Sequence, residues 1–404
     1  MSIFNTEERN LMFIQSMNYF SAGLAGIFVT VYFYSHSDLK TTIFYNLLFY
    51  TTLLIVYIAS GWTLKKVSSA FLIKFGIFIA AIFYLLLFLL KENIIYYVIP
   101  LGIFSGFGAG NYWAGLNLNQ YIFTNKKKRL EYFGSMNTIL NILQSVSPLI
   151  GGGIIILAKS SDLLSPQAGY AILFLIVFIL LFLMILVVGK LPNHEMPNFS
   201  YAHITSHQRS RNWKFVLCQQ AVWGSFDVAM STVLGILFFL ILKNEIILGA
   251  SQTAIFLLSA VGSLISIRIL TKNRQSYWFG VVGVALGMTS FALFQNTYGL
   301  ILFVILYGLF SPFLYNMLSA TGFRVMDSVD TSWKEKYHFL IERDIALGIP
   351  RMLSYIFLLI FLQFGDQIQL ARIWLYFLPF LPLILGFLLW KMKSLPSSSL
   401  EALA

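Results

Sequence analysis

The chain has 404 residues, of which 58% are hydrophobic and 11% are charged, and its formal net charge is +11. Soluble globular domains contain about 45–50% apolar and about 25% charged residues, so this chain lacks the polar surface that a water-soluble fold needs. The composition excludes an ordinary soluble enzyme and a disordered protein. The single cysteine, Cys218, excludes an intrachain disulfide and a secreted disulfide-stapled domain.

Long apolar runs follow one another along the chain and predict membrane-spanning helices. A helix needs about 20 apolar residues to cross the hydrocarbon core, and runs such as Ala168–Val188 meet that length. Apolar and polar residues do not alternate in these runs, which excludes a transmembrane barrel. Twelve spans are predicted, at residues 11–34, 41–61, 69–90, 94–121, 132–158, 168–189, 214–242, 246–270, 276–294, 298–323, 339–363 and 369–390.

These spans predict an all-α integral membrane protein built from two six-helix bundles. The first bundle comprises residues 1–190 and the second comprises residues 214–396, and a central cytoplasmic loop of residues 191–213 joins them. The last residues, 397–404, are interpreted as a remnant of the expression vector. A monomer surrounded by membrane lipids is expected for this architecture.

The positive charges are unequally divided between the two sets of loops. One set, which includes Lys65 and Lys66, holds sixteen Lys and Arg residues, and the opposite set holds five. Loops rich in Lys and Arg face the cytoplasm. We therefore expect both termini and the central loop to be cytoplasmic, in a multi-pass protein of the cell (inner) membrane. Because topology explains the basic composition, no nucleic-acid partner is predicted.

The two halves of the sequence align with each other at a constant offset of 206 residues. Phe20 matches Phe226, and the pattern Gly-x-Phe-Ser-x-Phe that begins at Gly102 recurs at Gly308. Two parallel six-helix halves with a substrate site between them are a known arrangement of secondary transporters. The repeat therefore predicts two pseudo-symmetric bundles.

With these features the chain resembles the Major Facilitator Superfamily. The loop after the second span in that superfamily usually reads Gly-x-x-x-Asp-Arg/Lys-x-Gly-Arg-Lys/Arg. Here Gly61, Lys65 and Lys66 remain, whereas the Asp and the second Gly are absent. A fifth-span signature of its drug/proton antiporters, Gly-Pro-x-x-Gly-Gly, is matched by residues 147–152 except at the first glycine. The resemblance implies alternating access and favours export, while close helix packing is the alternative explanation of this motif.

One carboxylate lies deep in a predicted span, where an ionisable group usually marks a functional site. Asp227 is about thirteen residues into the seventh span, roughly 20 Å along the helix. We expect it to carry protons. The alternative is a structural ion pair with an arginine on a neighbouring helix.

The eleventh span holds a second group of charges. Asp344 and Arg351 are seven residues apart and share one helix face, so we expect both in the charged core. Glu342 and Arg343 lie at the start of the span and, with Lys65 and Lys66, predict a gate at the inner surface. Substrate contact is the alternative for Glu342 and Arg343.

Uncharged polar and aromatic side chains within the spans are candidates for the substrate cavity. Three of them form a polar stripe on one face of the fifth span, for which hydrogen bonding between helices is the alternative explanation. An aromatic belt at the membrane surface is the alternative for Trp113. The candidates are Gln15, Asn18, Trp113, Asn137, Asn141, Gln144, Trp223 and Asn316.

The sequence contains no P-loop, no His-Glu-x-x-His and no Gly-x-Ser-x-Gly motif. We therefore predict no enzymatic activity, no catalytic residue, no metal site and no cofactor, with the proton gradient as the energy source. The predicted function is secondary active transport of a small organic solute by alternating access, with proton-coupled export favoured. Proton-coupled uptake is the alternative, and a lipid flippase or a transporter-like receptor is the alternative of another class.

Overall fold

The computed structural model describes residues 5–123, 129–160, 168–188, 191–196, 199–328 and 333–392. The segment 397–404, interpreted above as a vector remnant, lies outside the described residues. Within the described ranges the regular secondary structure is helical. Twelve long helices, α1 to α12, comprise Thr6–His36, Leu39–Thr63, Ser69–Leu90, Val98–Phe123, Arg129–Lys159, Ala168–Val188, Arg211–Leu242, Glu245–Lys272, Tyr277–Phe294, Thr297–Asp327, Trp333–Phe361 and Gln367–Lys391. A short helix, Ala202–Ser206, lies between α6 and α7.

Eleven helical stretches of the described chain are long and apolar enough to cross a membrane. One of them, Ser69–Phe123, has 55 residues and contains both α3 and α4. The chain reverses between them at Lys91, whose φ is 49°, and the Ser69 hydroxyl donates a 2.6 Å hydrogen bond to Asn119 at the far end of α4. Because α3 and α4 are antiparallel, the stretch makes two crossings and the total is twelve, as the sequence predicts.

The helix ends follow capping chemistry more closely than the limits of the apolar runs. The predicted first span begins at residue 11, but α1 begins at Thr6 because Asn5 accepts from the Glu8 amide at 2.7 Å and donates its own amide to the Glu8 carboxylate at 2.9 Å. Similarly, α7 begins at Arg211 behind the Ser210 cap and takes the last three residues of the predicted central loop.

The sequence repeat changes register along the chain. On α10, a Cβ added to Gly308 would lie 3.1 Å from the Ile255 carbonyl and 2.7 Å from Leu258 Cβ on α8. On α4, Gly102 makes the same approach, because its added Cβ would lie 3.1 Å from the Tyr45 carbonyl and 2.9 Å from Leu48 Cβ on α2. The offset is thus 206 residues between these glycines of α4 and α10 but 210 between the residues that they contact on α2 and α8.

One constant offset therefore does not describe both helix pairs, which differ by four residues, about one helical turn. The match of Gly102 with Gly308 is kept in the structure, because both glycines make the same close approach to a neighbouring helix. The connections also differ in length: a seven-residue 3₁₀ segment, Lys91–Tyr97, joins α3 to α4, whereas only residues 295–296 join α9 to α10.

Two helix pairs, α5 with α8 and α2 with α11, join the halves along a seam. The fifth-span motif lies on this seam, because a Cβ on Gly152 would be 2.6 Å from the Glu245 carbonyl of α8. Gly151 approaches the Leu24 carbonyl of α1 in the same way. Small residues here let helix backbones come close, which agrees with the packing explanation of the motif.

We call the face at which α1 begins and α12 ends the terminal face, and the other the opposite face. Polar contacts join the halves at the opposite face, where Gln367 donates to the Asp38 carboxylate at 2.9 Å and accepts from the Lys40 amide at 3.2 Å. Burial raises the pKa of Asp38, but hydrogen bonds from Thr41 and Gln367 outweigh it, so the pKa lies below its usual value.

Candidate functional site

The seventh helix, α7, is irregular next to Asp227, the predicted proton carrier. Directly after Asp227, one π-helical turn, Ala229–Val233, interrupts α7. Such turns are rare and often occur at functional sites. This turn directs Ser231 and Thr232 towards α11, where the Tyr355 hydroxyl lies 3.3 Å from the Ser231 oxygen and 2.8 Å from that of Thr232.

A glycine lets α7 and α11 approach at this level. A Cβ on Gly224 would collide with the Leu347 carbonyl and would lie 3.4 Å from Cγ of Arg351. The close approach brings the Asp227 carboxylate to 2.8 Å from the Arg351 guanidinium. The Asp227 and Arg351 side chains retain 27% and 15% of their exposure, so neither is completely buried. The predicted arginine partner of Asp227 is thus present.

The first half contributes an aromatic ring to this ion pair. The Arg351 guanidinium carbon lies 5.1 Å from the ring centroid of Tyr50 on α2, within cation–π range. Tyr50 in turn stacks on Tyr355 with centroids 5.6 Å apart. Sequence reasoning missed both tyrosines, because each lies in an apolar run without a distinguishing motif. The Arg351 Nε is buried without a hydrogen-bond partner among the described residues.

A cavity of about 460 Å³ lies inside the first half, between α1, α2, α3 and α4. Three predicted cavity residues, Asn18, Trp113 and Gln144, line it, and Ser231 of α7 reaches it from the second half. Tyr50 forms part of the wall, so one ring is shared by the cavity and the ion pair. None of its described lining residues is charged.

A smaller cavity of about 230 Å³ lies in the second half, between α7, α10 and α11. Trp223 and Arg343, both predicted site residues, line it. Arg343 pairs at 2.9 Å with the adjacent Asp344, which therefore does not share a partner with Arg351. Arg343, Asp344 and Arg351 of α11 are thus compensated in two separate ion pairs.

Glu342 is buried and contacts groups of the second half and of the segment that joins the halves. Its carboxylate accepts from Trp213 Nε1 at 2.6 Å, pairs with Arg209 and lies 3.2 Å from His207 Nε2. Lys65 and Lys66, predicted to form a gate with it, are exposed at the end of α2. In this arrangement Glu342 fastens the joining segment to α11.

The same segment, residues 191–210, which we call the central linker, also contacts the first half. The Met196 amide donates to the Leu64 carbonyl at 2.8 Å, and the Tyr201 hydroxyl donates to the Ile58 carbonyl at 2.6 Å. His194 packs against Phe123, and burial holds the pKa of His194 below its usual value, although Glu7 opposes the shift. The central linker therefore touches both halves at the terminal face.

The remaining predicted residues lie elsewhere on the helices. Gln15 accepts a 2.6 Å hydrogen bond from Gln120, and Asn316 donates to Ser266 on α8 at 3.0 Å. Asn137 and Asn141 are half-buried on α5 and are not among the residues that line either cavity. Within the described ranges, no group of three or more His, Cys, Asp and Glu side chains is placed to hold a metal ion.

Comparisons with known proteins place this arrangement in a family. A model described as Major Facilitator Superfamily matches residues 11–333. The protein of Bacillus subtilis (strain 168) named "Uncharacterized protein YqgE" is 22% identical over 364 residues, which is 87% of this chain and 83% of that protein.

Solved structures of transporters have a similar fold. A bacterial homologue of the iron transporter ferroportin in an inward-facing state superimposes with a TM-score of 0.68 at 12% identity, covering 96% of this chain and 98% of that one. The E. coli fucose:proton symporter gives a TM-score of 0.66 at 15% identity, covering 96% and 100%. Sequence identities this low to the solved structures show only that the fold is shared. Membership of the family rests on the family model, which covers most of the sequence. The chain therefore belongs to the Major Facilitator Superfamily and has the twelve-helix fold of its transporters.

Proposed function

We propose that this chain is a secondary active transporter that moves a small organic solute by alternating access and couples that movement to protons at Asp227. The observation that supports the proposal is the Asp227–Arg351 pair, a half-buried ion pair inside a membrane fold at the junction of the two halves. Charges at membrane depth are costly and persist where they serve transport. Inverted or parallel helical repeats that rock around such a site are the usual means of alternating access.

The pair offers a physical link between a proton and the position of the helices. A proton on Asp227 removes the negative charge that compensates Arg351, and the guanidinium itself cannot lose its charge. Arg351 must then find another partner, which changes its contacts with Asp227 on α7 and with Tyr50 in the first half. Protonation is thereby coupled to the contact between the two bundles.

Export and uptake both remain within this proposal. The fifth-span motif favoured export in the sequence, but its glycines pack against α1 and α8, so they carry little information about direction. We retain the cytoplasmic placement of the termini from the distribution of cations. We also propose that the Glu342 cluster, with the central linker, stabilises one state of the cycle, in place of a gate built with Lys65 and Lys66.

The test is proton movement in liposomes that contain the purified full chain and a trapped pH-sensitive dye. A panel of small organic solutes is added outside under an imposed pH gradient. We expect at least one solute to move protons with the wild type, and Asp227→Asn to reduce that movement to the level of protein-free liposomes, because the amide cannot bind the proton. The matched control is Asp366→Asn, since Asp366 is an exposed helix cap that Asn also satisfies.

Two results would contradict the proposal. Proton movement that is unchanged in Asp227→Asn would remove Asp227 from the coupling. Movement of labelled phospholipid between leaflets without any gradient, in the absence of solute transport, would favour a flippase instead.

A further inference from the structure

We infer that the substrate of this transporter is an organic anion with an uncharged, ring-containing body, and that it is loaded together with a proton. The inference rests on the proposed function and names its substrate class. It starts from the charges at the junction of the two halves. There, Asp227 is paired with Arg351, and Asp344 is paired with Arg343, so the formal charges sum to zero.

The zero net charge of these four side chains determines which ligands can bind beside them. An unbalanced charge in a low-dielectric site is unfavourable, and removal of one member of a buried pair leaves such a charge behind. A proton on Asp227 brings the sum to +1, and an anion beside Arg351 returns it to zero. A cation would raise the sum in either protonation state, because Arg351 stays charged and already occupies the Asp227 carboxylate.

Asp227 is the carboxylate at this position, so it is the group that can exchange its negative charge for a bound proton. Among the described residues, the ionisable groups that face it are one arginine and several tyrosines, and none of them carries a negative charge to be neutralised in this way. These groups are Arg351 and Tyr355 on α11, Tyr50 on α2, Tyr19 on α1, and Tyr307 and Tyr315 on α10.

The cavity beside the ion pair fits the rest of such a molecule. Its volume of about 460 Å³ lies in the usual range for small-molecule sites. Aromatic rings, among them Tyr19 and Trp113, form much of its wall, and its described lining carries no charge. These surfaces suit an uncharged ring, while the Asn18 and Gln144 amides can hydrogen-bond polar substituents.

The cavity and the arginine are adjacent rather than separate sites. Tyr50 lines the cavity with its ring and holds the Arg351 guanidinium 5.1 Å from its centroid. The Nε of Arg351 is buried and has no hydrogen-bond partner among the described residues, so it can donate to an incoming anion. Arg351 is not among the residues that line the cavity, so the anionic group of a molecule with its ring in the cavity would reach the guanidinium past Tyr50.

The test uses three probes of one shape that differ in charge. They are 2-naphthalenesulfonate, 2-naphthalenesulfonamide and 2-naphthylmethylammonium, and their binding to the purified full chain is measured by calorimetry in detergent. We expect the sulfonate to bind at least about tenfold more tightly than the other two, the effect of one charge-assisted hydrogen bond. Its binding should strengthen as the pH falls in the wild type but not in Asp227→Asn.

Variants of the arginine connect this preference to the site. Arg351→Gln should abolish the sulfonate preference, whereas the same change at the exposed Arg372 should leave it intact. If the single variant does not fold, Asp227→Asn with Arg351→Gln removes both charges together and gives the same readout. Arg351→Lys should keep the preference for the anion with weaker binding, because one ammonium replaces the planar guanidinium.

The outcomes separate this inference from the proposed function. Four results would overturn the anion assignment. They are equal binding of the three probes, tighter binding of the ammonium, no binding by any probe, and a preference for the sulfonate that survives Arg351→Gln. If another solute then moves protons through Asp227, the proposed function stands without this inference. If the sulfonate binds at Arg351 but moves no protons into wild-type liposomes, the joint loading fails, and the solute panel with Asp227→Asn then decides the proposed coupling separately.

Discussion

The two halves of the molecule share one frame but differ in charge. In the first half, α5 presents Asn141, Gln144 and Ser145, and a cavity without charged lining opens beside it. In the second half, the related helix α11 carries Arg343, Asp344 and Arg351 in ion pairs. The two halves therefore contain related helices, α5 and α11. The side chains of α5 named here are uncharged, whereas those of α11 form ion pairs.

This division has a physical consequence. A charge is costly in a membrane wherever it stands, so concentrating the pairs in one half leaves the other free to form an uncharged cavity. Tyr50 connects the two environments, since it lines the cavity and also packs against Arg351. The difference between the halves suggests that the first recognises the body of the substrate and the second recognises its charge.

The largest expected effect comes from breaking the charge balance of the second half. Arg351→Gln leaves Asp227 without its partner and should lower the free energy of unfolding by roughly 2–3 kcal/mol. This value is below the range for fully buried pairs, because the Asp227 side chain keeps 27% of its exposure. Asp227→Asn with Arg351→Gln should cost less than about 1 kcal/mol, since no unpaired charge remains. Thermal and denaturant unfolding in detergent would measure both. Equal destabilisation by the single and double changes would mean that charge balance is not the cause.

A smaller effect is expected where the second half holds the central linker. Glu342→Ala deprives Arg209 and Trp213 of their common acceptor, removes the carboxylate beside His207, and should destabilise the fold by roughly 1–2 kcal/mol. The central linker should then be cleaved faster by trypsin. Glu195→Ala, at an exposed position of the same linker, is the control. A cleavage rate unchanged from the wild type would show that Glu342 does not anchor this segment.

The smallest effect tests the uncharged half. Gln144→Ala removes one amide from the cavity and should weaken binding of 2-naphthalenesulfonate about threefold, the effect of a hydrogen bond of about 0.6 kcal/mol. The pH dependence of binding should not change, because the ion pair is intact. Asn137→Ala and Asn141→Ala, on the same stripe but outside the cavity lining, should change affinity less. A shift in the pH dependence in Gln144→Ala would argue against the separation of roles.

Much of the fold could be predicted because the membrane imposes a simple rule. Runs of about 20 apolar residues must be helices there, so twelve spans and a six-plus-six duplication follow from composition and length. The site was harder to predict. Asp227 and Arg351 stand out as charges within apolar spans, but Tyr50 and Tyr355 resemble any other aromatic residue of a membrane helix. Glu342 was expected at a gate, which stays a prediction, and its contacts with the central linker and Trp213 could not be read from the sequence.

The sequence alone determined the number of helices, their approximate limits and the residues whose charge had to be compensated, because these depend on local hydropathy and on the cost of a charge in lipid. Only the tertiary structure decided the partners. The pairing of Asp227 with Arg351 depends on Gly224, which lets α7 approach α11, and the stacking of Tyr50 on Tyr355 depends on the contact of α2 with α11. Distances between helices are set by side chains that are far apart in sequence, so a local sequence pattern does not predict these distances.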